Sequence, residues 1–530
     1  MSAPSLPAAQ SQPGTRVKPQ RTKRNLELFL LIPALGVAAL ADYLVSVSPA
    51  GSSADDSSWI THVVVMGALA LGMNISLRIW AKYADPFILP IVVTLNGIGL
   101  AMIHRLDLGA ARESHVATTQ LLYTGLGMAC AVVILWAIRD HRVLRRFTYV
   151  WLAAAVVLLL LPLVPGLGKT INGAKIWIGI GPFSIQPGEF AKIALAIFFA
   201  SYLASKRDLI LLAGKRLGPL QLPRLRDMAP MFIAWIVALG VLVMQSDLGS
   251  AILFFGLFMV MIFVATGRVS WIVIGLGLMA VGAVFAVLFI SHVQARVHVW
   301  LHVFDPAVYN RVYGGSGQIV QGLFALANGG MVGTGFGGGT PNKVPLANSD
   351  MIYASLGEEL GMIGLFAIVM LFLLLVSRGV RAAAGSRDGF GKLLATGLSF
   401  TIALQFFVVT AGVLRVMPLT GLTTPFLSAG GSSLLANWVL ISILLMISHN
   451  ARRPSTGGSM LSVQDQGLID RHLRVQAVSA LDAVPDRRSG AQSATGPGTR
   501  RNAQDSAGNT ASGTGRLPGG TTKNGRGENA

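Results

Sequence analysis

The chain has 530 residues, of which 53% are hydrophobic and only 12% are charged. This balance excludes an ordinary soluble enzyme of this length and indicates a protein that crosses a membrane many times. The formal net charge of +19 does not indicate a nucleic-acid partner, because the basic residues lie in short connections and tails, where they set orientation and meet anionic lipid headgroups. The single cysteine, Cys130, lies in an apolar run and can form neither an internal disulfide nor a cysteine metal site.

Apolar runs long enough to cross a bilayer recur from residue 26 to residue 447. Residues 1–25 are polar and basic, and residues from about 449 onward are rich in Gly, Ser, Thr and Arg, so both tails are expected to be disordered. Connections rich in lysine and arginine alternate with connections that have few, which predicts that both termini face the cytoplasm. The sequence therefore predicts an all-α polytopic membrane protein with about twelve spans. The predicted spans are residues 26–47, 59–80, 86–103, 120–138, 147–165, 189–208, 230–244, 251–265, 270–290, 351–376, 393–414 and 434–447.

The longest connection, roughly residues 291–350, is predicted on the outer side and ends at Asp350. Loops of this length in a compact protein are usually functional or disordered. Asp350 stands at the entrance of the next span, where water can keep a carboxylate ionised and a lipid-linked substrate can reach it. We predict that Asp350 is a catalytic base, with a helix N-cap as the alternative.

Charged residues in or beside the spans concentrate on the predicted outer side, and a charge at bilayer depth is a functional candidate because it is costly unless paired or hydrated. Glu189 and Lys192 are three residues apart on one helix face, so they can pair, either at the edge of a polar cavity or as a structural link between helices. Asp247, at a hairpin tip, is expected to cap a helix. Glu358 and Glu359 are expected to make structural hydrogen bonds.

The glycine-rich residues 329–339 do not follow a predicted strand or open a helix, so they do not indicate a nucleotide-binding loop. They are expected to form a compact, pliable loop that can approach a substrate closely. The histidines His292, His298 and His302 fit one helix face loosely, but no acid is placed to complete a metal site with them.

Four strings in the chain are specific: NGAKIWIGIGPFSIQPGEFAK, SDLG, SDMIYASLGEELGMIG and MPLTGLTTPFLSAGGSSLLAN. Their order, intervals and membrane positions resemble those of the RodA/FtsW family, the shape, elongation, division and sporulation proteins. The resemblance covers about residues 86–448 and implies a ten-span core with a large outer loop at 291–350. The two spans within residues 26–85 look like the N-terminal extension of actinobacterial RodA-like members. The chain departs from the family pattern at Gly188, at residues 348–349, at residues 351–353, at Ala429 and in the spacing around residues 304–306.

The resemblance implies a peptidoglycan glycosyltransferase that polymerises lipid II outside the cytoplasmic membrane, with a class B penicillin-binding protein as partner. Asp350 falls on the family's essential acid, and Glu189 and Lys192 fall on its polar pair. A direct displacement needs one base, and the departing diphosphate needs positive charge. The residues predicted to bind substrate are Glu189, Lys192, Lys175, Gln186, Arg296, Lys343, Arg415, Ser428, Gly430, Gly431 and Ser432. No cofactor is predicted with certainty, although a divalent cation, Mg²⁺ or Mn²⁺, could assist.

Other function classes remain open from the sequence. A lipid II flippase or another transporter would also use charged residues and broken helices within the membrane. A weakly active scaffold for a penicillin-binding protein and a different glycosyltransferase that uses polyprenyl-linked sugars are further alternatives. The extra N-terminal spans favour a role in cell-wall elongation.

Overall fold

The computed structural model describes the chain from residue 22 to residue 454 with several gaps. The described residues are 22–48, 58–110, 114–171, 173–181, 183–212, 214–217, 220–223, 225–311 and 314–454; for residues 180, 183 and 207–228 the description covers the backbone alone. These residues belong to one unit, Met1–Pro454. The tails predicted to be disordered therefore lie almost entirely outside the described residues.

Most of the described chain is helical. The helices are α1 (Arg24–Ser46), α2 (Ser58–Trp80), α3 (Ile88–Leu108), α4 (Val116–Ala137), α5 (Arg142–Arg145), α6 (Thr148–Leu160), α7 (Gly188–Leu212), α8 (Leu225–Met244), α9 (Leu248–Thr266), α10 (Ser270–Phe289), α11 (Ser291–Leu301), α12 (Pro306–Tyr309), α13 (Gly317–Gly329), α14 (Ile352–Gly385), α15 (Gly389–Val413) and α16 (Gly431–Arg452). Short 3-10 turns lie at Leu161–Leu163 and Pro341–Lys343.

Within the described residues, ten helices are long and apolar enough to cross a membrane: α1, α2, α3, α4, α7, α9, α10, α14, α15 and α16. Two of the twelve predicted spans are shorter than this criterion, namely the fifth and the seventh. The fifth is short because α6 ends at Leu160 and the chain tightens into a 3-10 turn around Pro162, which cannot donate a helical hydrogen bond. In the seventh, the apolar part is Ala229–Met244.

The helix α3 lies at the centre of the bundle. It packs against α1, α4 and α14, and 94% of its apolar stretch is buried, compared with 6% for α10. A Cβ built on Gly97 would overlap the Cβ of Ala38, so α1 and α3 approach closely through small residues. The first helix begins at Arg24, inside the predicted disordered tail, because Arg24 is buried and pairs with Glu27 at 2.6 Å.

The predicted outer loop at 291–350 contains three helices rather than continuous irregular chain. The helices α11, α12 and α13 share a small hydrophobic core, separate from the main one, formed by Val299, Val303, Val308, Ile319 and Val320. This core explains why a segment between two spans can fold locally: its apolar residues are buried against one another. The segment is therefore a small folded cap that precedes α14.

The glycine-rich residues 329–339 dock against a break in α14. Gly361 interrupts the helix with φ of 67°, and a Cβ there would overlap the backbone of Gly333. The amide of Thr334 donates to Glu358 O at 3.0 Å, and the amide of Met362 donates to Gly330 O at 2.9 Å. The loop is compact, as predicted, and its glycines allow a close approach to α14. Its approach to a substrate stays a prediction.

Two small antiparallel sheets lie in connections between the predicted spans. β1 (Gly168–Ile171), β2 (Ala174–Ile180) and β3 (Phe183–Ile185) form one sheet, in that order, with Gly168 opposite Ile178 and Gly179 opposite Ser184. β4 (Gly214–Leu217) and β5 (Leu220–Pro223) form a hairpin between α7 and α8. The first sheet leads directly into α7, which carries Glu189 and Lys192.

Candidate functional site

Asp350 lies two residues before α14, at the end of the folded cap. Its side chain is half-buried, and among the described residues none donates a hydrogen bond to its carboxylate. A Cβ built on Gly421 would lie 3.7 Å from Asp350 Oδ2, which places the carboxylate against the connection between α15 and α16. The N-cap position of α14 is occupied by Met351. The carboxylate is therefore free to accept a proton from a bound molecule.

The connection between α15 and α16, residues 414–430, is joined by hydrogen bonds to the backbone just before Asp350. Ser428 Oγ donates to Ser349 O at 2.7 Å and accepts from the amide of Thr424 at 2.8 Å. The amide of Ala429 donates to Asn348 O at 2.7 Å. We call these contacts the 348–349 seam. Ser428 is buried, so its hydroxyl holds the position of Asp350 rather than facing open space.

Arg296, on α11, also contacts the 414–430 connection. Its Nη1 donates to the carbonyl oxygens of Leu419 and Thr420, each at 3.0 Å, immediately before Gly421. One guanidinium thus joins the folded cap to the chain segment that borders Asp350. Its positive charge also acts on the Asp350 carboxylate.

Burial raises the pKa of Asp350 from the ordinary 3.8 to about 6, while the nearby charge of Arg296 opposes the rise. Desolvation disfavours the charged form of a carboxylic acid, which explains the direction. The sequence predicted a well-hydrated, ionised acid, and the structure instead shows a partly desolvated one. A base with a pKa close to neutral is still largely ionised at pH 7 and accepts protons more readily than an exposed carboxylate.

The predicted Glu189–Lys192 pair is present at the start of α7, and both residues are buried. Lys192 Nζ donates to Glu189 Oε2 at 2.5 Å, to Gln405 Oε1 at 2.9 Å and to Asn437 Oδ1 at 3.4 Å. Gln405 Nε2 in turn donates to Thr423 O at 2.9 Å. All three protons of the ammonium group are therefore engaged, and the network supports the same 414–430 connection.

Asp247 caps α9, as predicted, because its Oδ1 accepts from the amide of Ser250 at 3.0 Å. Burial raises the pKa of Asp247, the hydrogen bond from Ser250 opposes the rise, and the charges of Arg296 and Glu189 both reach it. Asp247 therefore lies within electrostatic range of both Glu189 and Arg296, the cation that acts on Asp350.

Three more of the predicted binding residues lie where the 414–430 connection enters α16. Ser432 Oγ accepts from the backbone amide of Gln186 at 2.9 Å, which ties β3 to α16. The amide of Gly430 donates to Gln120 Oε1 at 3.3 Å. Gly431 packs against the Tyr123 ring so closely that a Cβ built on it would lie only 2.5 Å from ring carbon atoms. These contacts fix the end of the 414–430 connection against α4 and β3.

The remaining predicted cations, Lys175, Arg415 and Lys343, make no described hydrogen bond to Asp350 or to the residues beside it. Lys175 Nζ donates to Leu163 O at 3.3 Å. The Arg415 guanidinium donates to the carbonyl oxygens of Trp300 and Leu301 at 3.2 and 3.3 Å. Lys343 is exposed in the 3-10 turn that borders an open groove of about 330 Å³. That groove runs between the end of α3 and residues 342–348, directly before the 348–349 seam.

The predicted structural role of Glu358 and Glu359 is confirmed. Glu358 Oε1 accepts from Asn328 Nδ2 at 2.9 Å and from the amide of Thr340 at 3.0 Å. Glu359 Oε1 accepts from Arg105 Nε at 3.0 Å. These bonds hold the glycine-rich loop and α3 against the first part of α14.

The sequence interpretation missed the polar residues that support the site from inside the bundle. Gln120 on α4 donates to Ser428 O at 3.0 Å and accepts from Gly430, and Gln405 and Asn437 complete the shell around Lys192. Their signal in the sequence was an uncharged amide inside an apolar span, which must find a partner there. The sequence interpretation also missed a buried cluster of Asp42, His62 and His104, to which none of the predicted site residues belongs.

Comparison with known proteins identifies the family. A family model for the FtsW, RodA and SpoVE cell cycle proteins matches residues 86–453. The peptidoglycan glycosyltransferase RodA of Mycobacterium tuberculosis is 46% identical over 446 residues, which cover 82% of this chain and 92% of that protein. Stage V sporulation protein E of Bacillus subtilis is 34% identical over 382 residues, which cover 70% of this chain and 99% of that protein.

A solved structure shares the fold. It is described as "Structural coordination of polymerization and crosslinking by a peptidoglycan synthase complex", and one of its chains matches with a TM-score of 0.57 and 24% identity, over 70% of this chain and 99% of that chain. With the membrane-length helices, this likeness confirms the predicted all-α polytopic membrane fold. The resemblance inferred from the four sequence strings is confirmed as well: the chain belongs to the FtsW/RodA/SpoVE family.

Proposed function

We propose that this chain is a peptidoglycan glycosyltransferase that polymerises lipid II on the outer face of the cytoplasmic membrane, with Asp350 as the general base. The observation that carries the proposal is the state of Asp350: a half-buried carboxylate with a raised pKa and, among the described residues, no hydrogen-bond donor. The mycobacterial relatives named as peptidoglycan glycosyltransferases support the same reaction class.

In the proposed reaction, Asp350 accepts the proton of the GlcNAc 4-hydroxyl of the acceptor lipid II. The hydroxyl oxygen attacks C1 of the donor sugar, and the bond between C1 and the undecaprenyl diphosphate oxygen breaks. Displacement from the opposite face converts an α-linked diphosphate into a β-linked glycan. A positioned base of this kind contributes on the order of 10²–10⁴-fold to the rate.

The departing diphosphate takes the electron pair of the broken bond, so its negative charge must be stabilised. We assign this role first to Arg296, because only its Nη1 donates to carbonyl oxygens in the described contacts and its other nitrogens can bind the diphosphate. We assign it also to Lys343, which is exposed beside the 330 Å³ groove. Lys192 would keep its ammonium group in the buried network and act by holding the 414–430 connection. Lys175 and Arg415 would have to leave carbonyl partners to bind the diphosphate.

A Mg²⁺ or Mn²⁺ ion fits this site only together with the substrate. Asp350 belongs to no group of three described carboxylate, histidine or cysteine side chains with converging ligand atoms. Magnesium often takes one or two carboxylates and completes its shell with phosphate oxygens and water. An assisting ion would therefore be held mainly by diphosphate oxygens and water, and it would supply positive charge to the leaving group.

We also propose a division of the chain into a catalytic core and an added pair of helices. The core, about residues 86–448, would carry the reaction, and the two helices within residues 26–85 would be an added pair. Both termini would face the cytoplasm, because connections rich in lysine and arginine are favoured on that side. The proposed partner is a class B penicillin-binding protein that cross-links the new glycan, in a role in cell-wall elongation, and a chain of a peptidoglycan synthase complex shares the fold.

The decisive experiment incubates the purified full-length chain with lipid II, alone and with candidate class B penicillin-binding proteins, and measures glycan length on gels. Wild-type protein should form polymer, and Asp350→Asn should lose activity by on the order of 10²–10⁴-fold. The matched control is Asp305→Asn, which changes an exposed acid of the same folded cap and should retain activity. Polymer formation by Asp350→Asn at the wild-type rate would exclude the proposed base, and lipid II translocation in liposomes without polymer would favour a flippase.

A further inference from the structure

A buried cluster of one acid and two histidines joins the added helices to the core. Asp42 lies on α1, His62 on α2 and His104 on α3, and each is at most 5% exposed. Asp42 Oδ2 lies 2.9 Å from His62 Nδ1, and Asp42 Oδ1 lies 2.6 Å from His104 Nδ1. The two imidazole rings meet edge to face with centroids 4.9 Å apart.

The cluster contains an acid that needs a positive charge beside it. An ionised carboxylate inside an apolar helix bundle is unfavourable unless it is paired or coordinates a cation. Among the described residues, the partners of Asp42 are these two imidazoles, and no lysine or arginine pairs with it. The positive charge must therefore come from a proton on one imidazole or from a bound ion.

The donor set and its geometry favour an ion. One atom from each of the three side chains lies within 4.8 Å of the other two, so small rotations of the side chains would bring all three to bonds of about 2.0–2.2 Å with one ion. It is also the single group of three such side chains in the part of the chain that the structure describes. Two imidazoles and a carboxylate form a ligand set that zinc uses in proteins.

The surroundings provide the other features of a metal site. Ser58 Oγ lies 2.9 Å from His104 Nε2, so the outer nitrogen of that ring has a partner that fixes its orientation, and Nδ1 is left as the ligand. A cavity of about 10 Å³, lined by Asp42 and His62 together with Leu35, Met66 and Gly97, lies beside the cluster. It has room for about one water molecule, which could complete a four-coordinate shell.

We propose that Asp42, His62 and His104 bind one Zn²⁺ ion through a carboxylate oxygen and the two Nδ1 atoms, and that the ion fastens α1 and α2 to α3. The protons on the two Nδ1 atoms leave those nitrogens when the ion binds, since ligating nitrogens must be unprotonated: a neutral ring then carries its proton on Nε2, and a charged ring releases one proton to water. This inference does not depend on the proposed glycosyltransferase activity, because the cluster contains none of the residues assigned to that reaction.

The test measures the metal content of full-length protein, purified in detergent with a tag that contains no histidine. Protein is stripped with a chelator, equilibrated with Zn²⁺ and desalted, and zinc is then measured by plasma mass spectrometry. One zinc ion per wild-type chain is expected, and the His62→Gln/His104→Gln variant should fall to background. The matched control, His298→Gln/His302→Gln, removes the stacked histidine pair of the folded cap and should keep the zinc.

A second measurement uses wild-type protein alone, in case the double variant does not fold. X-ray absorption at the zinc edge should show a shell of nitrogen and oxygen ligands with the signature of two imidazoles. If wild-type protein retains no zinc after desalting, or if only the His298→Gln/His302→Gln variant loses it, the site is excluded. The cluster is then an acid neutralised by a proton.

Discussion

At the scale of single residues, the pKa of Asp350 determines how the proposed activity depends on pH. Burial raises that pKa to about 6, and a base must be ionised to accept a proton. The rate of lipid II polymerisation at low substrate should therefore fall as the pH is lowered through about 6, rather than near the ordinary 3.8. Initial rates measured from pH 4.5 to 8 at constant ionic strength, a range of about the width needed to define one ionisation, would locate this limb.

Arg296 provides the control for that pH profile. Its charge lowers the pKa of Asp350, so Arg296→Gln should move the acid limb to higher pH in addition to reducing the rate. A reduced rate with an unmoved limb would mean that Arg296 contributes only by holding Leu419 and Thr420. An acid limb of the wild-type protein near pH 4 would contradict the desolvation of Asp350.

The same carboxylate should destabilise the fold when it is ionised. Between pH 3.8 and about 6 the native chain holds a proton that an unfolded chain has released, so the stability contribution of Asp350 falls as the pH rises through that window. At pH 7 the full penalty is present, and Asp350→Asn removes it. The variant should therefore unfold at a higher temperature than wild type at pH 7, and the gap should close as the pH approaches 4.

Thermal unfolding in detergent, followed by tryptophan fluorescence, would measure this difference. Asp305→Asn is again the control, because the exposed Asp305 caps the short α12 and its loss should not raise the midpoint. A lower midpoint for Asp350→Asn at pH 7 would show that the carboxylate is stabilised by partners rather than strained by burial.

At the scale of elements, the 348–349 seam fixes the position of the proposed base. Ser428→Ala removes a donor to Ser349 O and leaves the amide of Thr424 without its buried acceptor, which costs about 1–3 kcal/mol. Because Ser349 precedes Asp350, we expect kcat to fall by about tenfold or more, with a smaller change in KM. Ser377→Ala is the matched control, since the exposed Ser377 hydroxyl donates only within its own helix, to Leu374 O. Equal kcat values for the two variants would contradict a positioning role for the seam.

The elements also show what hydropathy could predict. The membrane helices follow from apolar length. The outer position of Asp350, which depends on the alternation of basic connections, stays a prediction. The cap helices α11 to α13 could not be predicted in this way, because their small core depends on contacts between residues of three short helices. The break at Gly361 was hidden for a similar reason: it is stabilised by hydrogen bonds from a loop more than twenty residues earlier.

The candidate site was predictable in its charged members but not in its supporting shell. Glu189 and Lys192 are conspicuous because charges are rare in spans, and Asp350 because it stands at the entrance of one. The amides of Gln120 and Gln405 are not conspicuous, and only the folded chain shows that they reach the 414–430 connection. The raised pKa of Asp350 likewise depends on neighbours that come from other elements, so a sequence alone suggests an exposed acid.

At the scale of the whole molecule, α1 and α2, the proposed added pair, are joined to the proposed core at both ends. At one end Arg24 pairs with Glu27 and donates to Ala84 O, just before the core begins, and Asn74 on α2 donates to Glu27 at 2.7 Å. At the other end Asp42 contacts the histidines of α2 and α3. Between them, α1 and α3 pack through Gly97 and Ala38. The central helix α3 therefore depends on the added pair for one of its faces.

Because α3 packs against α1, a substitution between these two helices should lower the thermal stability and leave the proposed catalytic base unchanged. Gly97→Leu would force α1 away from α3, because even a Cβ at Gly97 overlaps Ala38, and overpacking of this kind costs about 1–3 kcal/mol. Gly72→Leu on α2 is the matched control, since nothing lies within 4 Å of a Cβ at Gly72. The thermal midpoint should fall for Gly97→Leu and stay near wild type for Gly72→Leu, while lipid II polymerisation per folded molecule, measured well below the midpoint, stays within about threefold of wild type. If Gly97→Leu abolished polymerisation without lowering the midpoint, the added pair would act on the reaction itself and not only on the stability of α3.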